Sequence, residues 1–108
     1  MIRTVLYLQP RQDADLEAFF AQEGVLDRAV SVPGCLGASL HRPVTPGDPY
    51  LVTATWTSEA DYQGWVDDPW RQQATGALGA LLETGPRADE GGQLYTVVAA
   101  AGEGTWVH

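Results

Sequence analysis

The chain has 108 residues, 14 acidic against six basic side chains, a net charge of −8 and 44% apolar residues, which is the make-up of one globular domain spanning 1–108. A surface this acidic, with no basic cluster, argues against nucleic-acid and anionic-membrane partners. The single cysteine, Cys35, leaves no intrachain disulfide and fits a reduced, cytoplasmic setting, and no apolar run reaches the ~20 residues of a membrane span.

Ile2 to Leu8 is apolar and β-branched and ends before Pro10, so it reads as a first strand with no secretory leader pattern behind it. From Asp13 the period changes. Leu16, Phe19, Phe20, Leu26 and Val30 recur at helical spacing, Asp13 is the expected cap, and Pro33-Gly34 closes the segment. Leu36 to Arg42 is a second strand, with Leu36, Ala38 and Leu40 on one face and Ser39 and His41 on the other. A proline-rich connection from Pro43 to Pro49 leads to the clearest strand, Tyr50 to Thr57, in which Tyr50, Val52, Ala54 and Trp56 share a face.

Ser58, with Asp61 three residues on, caps a helix carrying Tyr62, Trp65 and Val66. Asp68-Pro69 is a second cap with proline at the first helical position, so the helix restarts there with Trp70, Ala74, Ala77, Leu78, Leu81 and Leu82 as its apolar stripe. Gly85-Pro86 stops it, Arg87 to Gly92 turns, and Gln93 to Ala101 is the last strand, followed by a tail ordered through a partner subunit. The order strand, helix, strand, strand, helix, strand predicts an α+β, ferredoxin-like split βαβ fold, with two crossover helices on one face of an antiparallel sheet. Large or apolar side chains on both strand faces then call for a second copy over the uncovered face. A homodimer also offsets the area that a domain this small loses to an internal cavity.

The stretches VPGCLGASLHRP and YLVTATWTSEADYQGWVDDPWRQ resemble the antibiotic biosynthesis monooxygenase family: Pro33-Gly34 before the second strand, Trp56 closing the third, and a polar cap after it. The resemblance implies a dimeric α+β barrel. Members acting on aromatic polyketides oxidise anthrones to quinones with molecular oxygen and without metal, flavin or nicotinamide, so no cofactor is implied. In one such member the residues associated with substrate binding or catalysis include a histidine near the end of the second strand, near His41 here, a tryptophan that matches Trp56 and a tyrosine that matches Tyr62. That member's asparagine position is Val52, which has no donor for a peroxy group or oxyanion.

Tyr50, Val52 and Trp56 then form a wall for an aromatic small molecule, or else ordinary core. Tyr62 and Trp65 extend that wall by resemblance and spacing, while Trp70 serves as ligand contact, core or interface anchor. Arg71, one of six cations, either stabilises a phenolate or enolate or pairs with a surface acid. His41 is the candidate base, since imidazole accepts a proton near neutral pH, or else a solvent-facing strand residue. His108 at the C-terminus is a weaker catalytic candidate. Isolated Cys35 and two separated histidines lack metal-site spacing, and neither a GxGxxG nor a P-loop sequence occurs. The expected function is a cofactor-independent monooxygenase acting with O2 on an aromatic polyketide or polycyclic phenol. A polyketide cyclase or isomerase is the alternative that Val52 favours, and a non-enzymatic binding or accessory dimer is the third.

Overall fold

The computed structural model describes residues 1–83 and 92–102. Four strands, β1 (Ile2–Leu8), β2 (Cys35–His41), β3 (Tyr50–Trp56) and β4 (Gln93–Thr96), form one antiparallel sheet in the order β2-β3-β1-β4. Helices α1 (Leu16–Glu23), α2 (Val25–Val30), α3 (Glu59–Val66) and α4 (Pro69–Gly79) occupy the two crossovers. This is the ferredoxin-like α+β arrangement that the element order predicts.

Register fixes which side chains meet the helices. Thr4 lies opposite Ala54, Leu6 opposite Val52 and Leu8 opposite Tyr50, so the even residues of β1 and β3 share the covered face. That face feeds two apolar clusters. One gathers Ala29, Ala54, Trp56 and Trp65, with Tyr62 and Trp70 packed against it; the other gathers Leu8, Leu16 and Phe20, with Leu6, Leu26, Val52 and Leu78 around it. Trp56 is fully buried, and removing an indole of ~200 Å² from water is worth roughly 5 kcal/mol before its ordering cost.

The helical segments keep their sequence-predicted places but not every boundary. Asp15, not Asp13, caps α1, its carboxylate accepting the Ala18 N–H at 3.0 Å. The expected single helix breaks at Gly24, whose left-handed backbone (φ 61°) ends α1 and starts α2. The break rotates the second half, so Ala29 enters the core while Val30 is left 44% exposed. Ser58 and Asp68 cap α3 and α4 as predicted: the Ser58 hydroxyl accepts the Asp61 N–H at 3.2 Å, and the Asp68 carboxylate accepts the Trp70 N–H at 2.8 Å. Beyond Gly79 the chain no longer continues as α4. Its carbonyls instead join β1's exit, through Arg11 N–H to Leu81 O at 2.7 Å and a Pro10–Leu82 bridge.

Two strand expectations change. In β2 a bulge falls between Cys35 and Gly37, so Cys35 rather than Leu36 pairs with Trp56 and turns inward, leaving Leu36 exposed. Strand β4 stops at Thr96 instead of Ala101, because β1, the strand it pairs with, begins at Ile2, opposite Thr96. The predicted stop at Gly85-Pro86, most of the following turn and His108 lie outside the described residues.

The other sheet face carries no helix among the described residues. Arg3, Thr53, Thr55, Ser39 and His41 lie on it, with the Arg3 guanidinium donating to Thr55 Oγ1 at 3.2 Å. Thr53 and Thr55 are nonetheless buried. No helix among the described residues is long and apolar enough to cross a membrane.

Candidate active site

A cavity of about 100 Å³ lies between the helices and the covered sheet face. Its floor comes from alternate residues of β1 and β3: Thr4 and Leu6 on one strand, Val52, Ala54 and Trp56 on the other. Its roof comes from α1, α2, α3 and α4. The hollow exists because small side chains sit where larger ones would meet: Ala38 and Ala54 on the sheet, Ala29 on α2 and Ala74 on α4.

The aromatic side chains are held from several directions. The Trp56 indole N–H donates to Thr4 Oγ1 at 3.2 Å inside the core, and the Trp56 ring meets Tyr62 edge to face, 5.6 Å between centroids at 65°. Trp65 and Trp70 face each other at 6.2 Å and 34°, on opposite sides of the α3–α4 junction that Asp68 caps. The Arg28 guanidinium lies 5.3 Å from the Trp70 ring centroid, covering it from α2. Tyr62 has its own constraint: a Cβ on Gly92 would stand 2.5 Å from the phenol oxygen, so the glycine backbone gives that hydroxyl room at the cavity wall.

Arg71 follows Trp70 into the first turn of α4 and is the one charged side chain in the lining among the described residues. The salt bridge among those residues is Arg42–Glu17, so Arg71 makes none with them. The other lining side chains that carry a polar atom are Thr4, Tyr62, Thr75 and the three tryptophans Trp56, Trp65 and Trp70, of which Trp56 and Thr4 are bonded to each other. Thr75, on α4, is the exposed member, and its hydroxyl donates to the Arg71 carbonyl oxygen at 2.8 Å. No carboxylate and no imidazole reaches the cavity among the described residues.

Of the residues singled out in the sequence, Val52, Trp56, Tyr62, Trp65, Trp70 and Arg71 come together around this space. His41 and Tyr50 do not. His41 is exposed on the helix-free face, where its Nε2 lies 2.8 Å from Ser39 Oγ and 3.1 Å from Thr53 Oγ1. Tyr50 is on the covered face as predicted, but at the end away from Trp56. Its hydroxyl donates to Glu17 at 2.6 Å, in a cluster where Arg42 makes two further hydrogen bonds to the same carboxylate at 2.5 and 2.7 Å. Those bonds, Arg42's first and Tyr50's second, hold the Glu17 carboxyl at about 2, and the same carboxylate pushes the Tyr50 phenol up. Cys35 is half-buried in the first cluster, and loss of solvent raises its thiol, as expected of a small core residue and not of a nucleophile.

Sequence reasoning missed Thr4, Phe20, Leu26 and Leu78 as cavity residues. Thr4 was detectable: it is the one hydroxyl in the inward series Ile2, Thr4, Leu6, Leu8, a place where a polar group needs a buried partner. Phe20 and Leu26 were legible as core, but only the turn at Gly24 decides that both flank the same space. No group of three or more metal-ligating side chains occurs among the described residues.

Comparison with solved structures places this architecture among known proteins. SnoaB, a cofactor-independent oxygenase from Streptomyces nogalater, superposes in a mutant form with a TM-score of 0.73 at 20% identity over 92% of this chain and 94% of its own. Rv0793 from Mycobacterium tuberculosis gives 0.68 at 14% identity over 94% and 97%. A dimeric ferredoxin-like protein of unknown function from Jannaschia sp. CCS1 gives 0.67 at 20% identity over 87% and 94%. No curated protein sequence matches the chain. The family model described as antibiotic biosynthesis monooxygenase matches residues 1–77, from β1 through most of α4 and so across most of the cavity. The chain belongs to the antibiotic biosynthesis monooxygenase family.

Proposed function

We propose that the protein is a cofactor-independent monooxygenase that oxidises an aromatic polyketide or related polycyclic phenol with molecular oxygen in the cavity between helices and sheet. One observation carries the reading: an apolar hollow walled at one end by Trp56, Tyr62, Trp65 and Trp70, with Arg71 as the one charge among its described lining residues. Family membership and the likeness in fold to an oxygenase that works without cofactor support it.

The reaction draws its electrons from the substrate. Water takes a proton from an activated ring carbon, since the described lining offers no stronger base. Arg71 and the Tyr62 hydroxyl bind the conjugated oxygen that gains negative charge, and they do so in an apolar surrounding that strengthens each contact. The carbanion passes one electron to O2 and the resulting radicals close a C–O bond. Protonation then gives a hydroperoxide. Loss of the second proton from that carbon, as the O–O bond breaks, expels water and leaves a carbonyl. One O2 is consumed, one of its atoms stays in the quinone and the other leaves as water.

The hollow is smaller than the ~150 Å³ that accommodates benzene in an engineered core, so a fused-ring guest has to widen it. Helix α4 is the layer that yields most cheaply, because none of its residues is fully buried. We also assign a homodimer to the active state, formed through the helix-free face in the barrel arrangement. That puts His41 at the subunit interface, away from the reacting carbon.

Val52 gives a second reading some weight, because cyclisation or isomerisation of a polyketide needs shape and proton transfer but no donor for a peroxy group. Product mass after reaction under isotopically labelled oxygen separates the two. One labelled oxygen gained for two hydrogens lost supports the oxygenase; an unlabelled product, at unchanged mass or lighter by water, refutes it and supports the cyclase.

A further inference from the structure

The cavity has two chemically different ends. At one end stand Trp56, Tyr62, Trp65 and Trp70 with Arg71; at the other stand Leu6, Phe20, Leu26, Val52 and Leu78, all aliphatic or phenyl and without a polar side-chain atom. The division follows the two core clusters, which the cavity joins. It also follows the elements lengthwise. Arg71 and Leu78 are seven residues apart on α4, ~10 Å along its axis, and Trp56 and Val52 are four apart on β3, ~13 Å. Between the ends the lining side chains are small, Ala29, Ala38, Ala54 and Ala74 with Thr4 and Thr75, so this is where the hollow can widen at least steric cost.

We infer that the ligand is amphipathic along its length: an aromatic ring system bearing an ionisable oxygen at the Arg71 end, and a flexible aliphatic chain running past Ala54 towards Leu6 and Val52. A compact polar molecule would leave the apolar end unfilled, and a ligand polar at both ends would strand its second polar group without a partner. Val52, where the family resemblance expects asparagine, is on this account a specificity residue that lines the channel for the chain. The inference rests on the cavity being the substrate site, as proposed above, but it does not depend on the reaction performed there.

The test is equilibrium binding, read by quenching of tryptophan fluorescence, of a naphthol series bearing no chain, then methyl, butyl and hexyl chains. Each methylene buried should tighten binding about fourfold until the aliphatic end is filled. Arg71→Gln should weaken every member of the series by a similar factor. Val52→Phe, which fills the far end, should flatten the dependence on chain length. Affinity independent of chain length in the wild-type protein overturns the inference, as does a Val52→Phe series with the wild-type slope. Oxygen uptake, measured separately, distinguishes the two proposals. A chain-length dependence without uptake keeps this inference and removes the oxygenase; uptake without chain-length dependence does the reverse.

Discussion

Glu17 shows how far one side chain's role depends on residues distant in sequence. Its carboxylate takes hydrogen bonds from Arg42, 25 residues on, and Tyr50, 33 residues on, tying α1 to the two ends of the β2–β3 connection. That is why Tyr50, legible as an inward aromatic from strand alternation, does not join Trp56 at the cavity. Alternation gives the face but not the position along it. The cluster also has a pH signature. Glu17 is held at about 2 when folded, against 4.5 for a free side chain, so the unfolded chain binds more protons between those values. The cluster's contribution to stability is therefore complete above about 4.5 and disappears as pH falls through about 2. Because the group is solvent-exposed the effect is small. Glu17→Gln should lower the Tm by a few degrees at neutral pH, and the gap to wild type should close in strong acid; a gap unchanged by pH would contradict this. At the same scale, Trp56 was readable as a buried aromatic and Thr4 as an inward hydroxyl in need of a partner, but not that the two pair, because the hydrogen bond between them spans 52 residues.

At the scale of elements, the caps of α3 and α4 and the Pro33-Gly34 turn were the most legible features, because they depend on two or three adjacent residues. The Pro33-Gly34 landmark has a mechanical reason. Gly34 has φ 91°, its carbonyl accepts the Thr57 N–H at 2.9 Å, and any Cβ there would collide with the Asp61 side chain. Asp61 in turn accepts hydrogen bonds from the hydroxyls of Thr57 and Ser58, which hold its carboxyl below the usual range. The turn therefore locks the beginning of β2 to the start of α3, one residue before Tyr62. Gly34→Ala should cost about 1–3 kcal/mol in urea unfolding, through the strained backbone and the contact with Asp61. A midpoint equal to wild type would show that the turn carries no such constraint. The bulge at Cys35 and the early end of β4 were not legible, since both follow from strand pairing and not from local composition. The break at Gly24 was hidden by apolar spacing that continues on either side of it.

For the whole molecule, the order of elements was enough to give the ferredoxin-like fold and to place the third strand and its following helices around one space. What it did not give was the division of labour between the sheet faces. The helix-free face holds a hydrogen-bonded group of Ser39, His41 and Thr53 beside Arg3 and Thr55, and Tyr95 on the neighbouring edge strand is 53% exposed. We expect a second copy to cover this face. Sedimentation equilibrium should return twice the 11.6 kDa chain mass, and a monomer at micromolar concentration would contradict the dimer.

If the chain's own side chains and the substrate's electrons suffice for oxygenation, chelator-treated, flavin-free protein given an anthrone should consume oxygen unaided. The expected result is one O2 consumed per quinone formed, at a rate well above the spontaneous reaction and reduced at least tenfold by Arg71→Gln. Consumption at the spontaneous rate, with the protein folded and binding the anthrone, would contradict it.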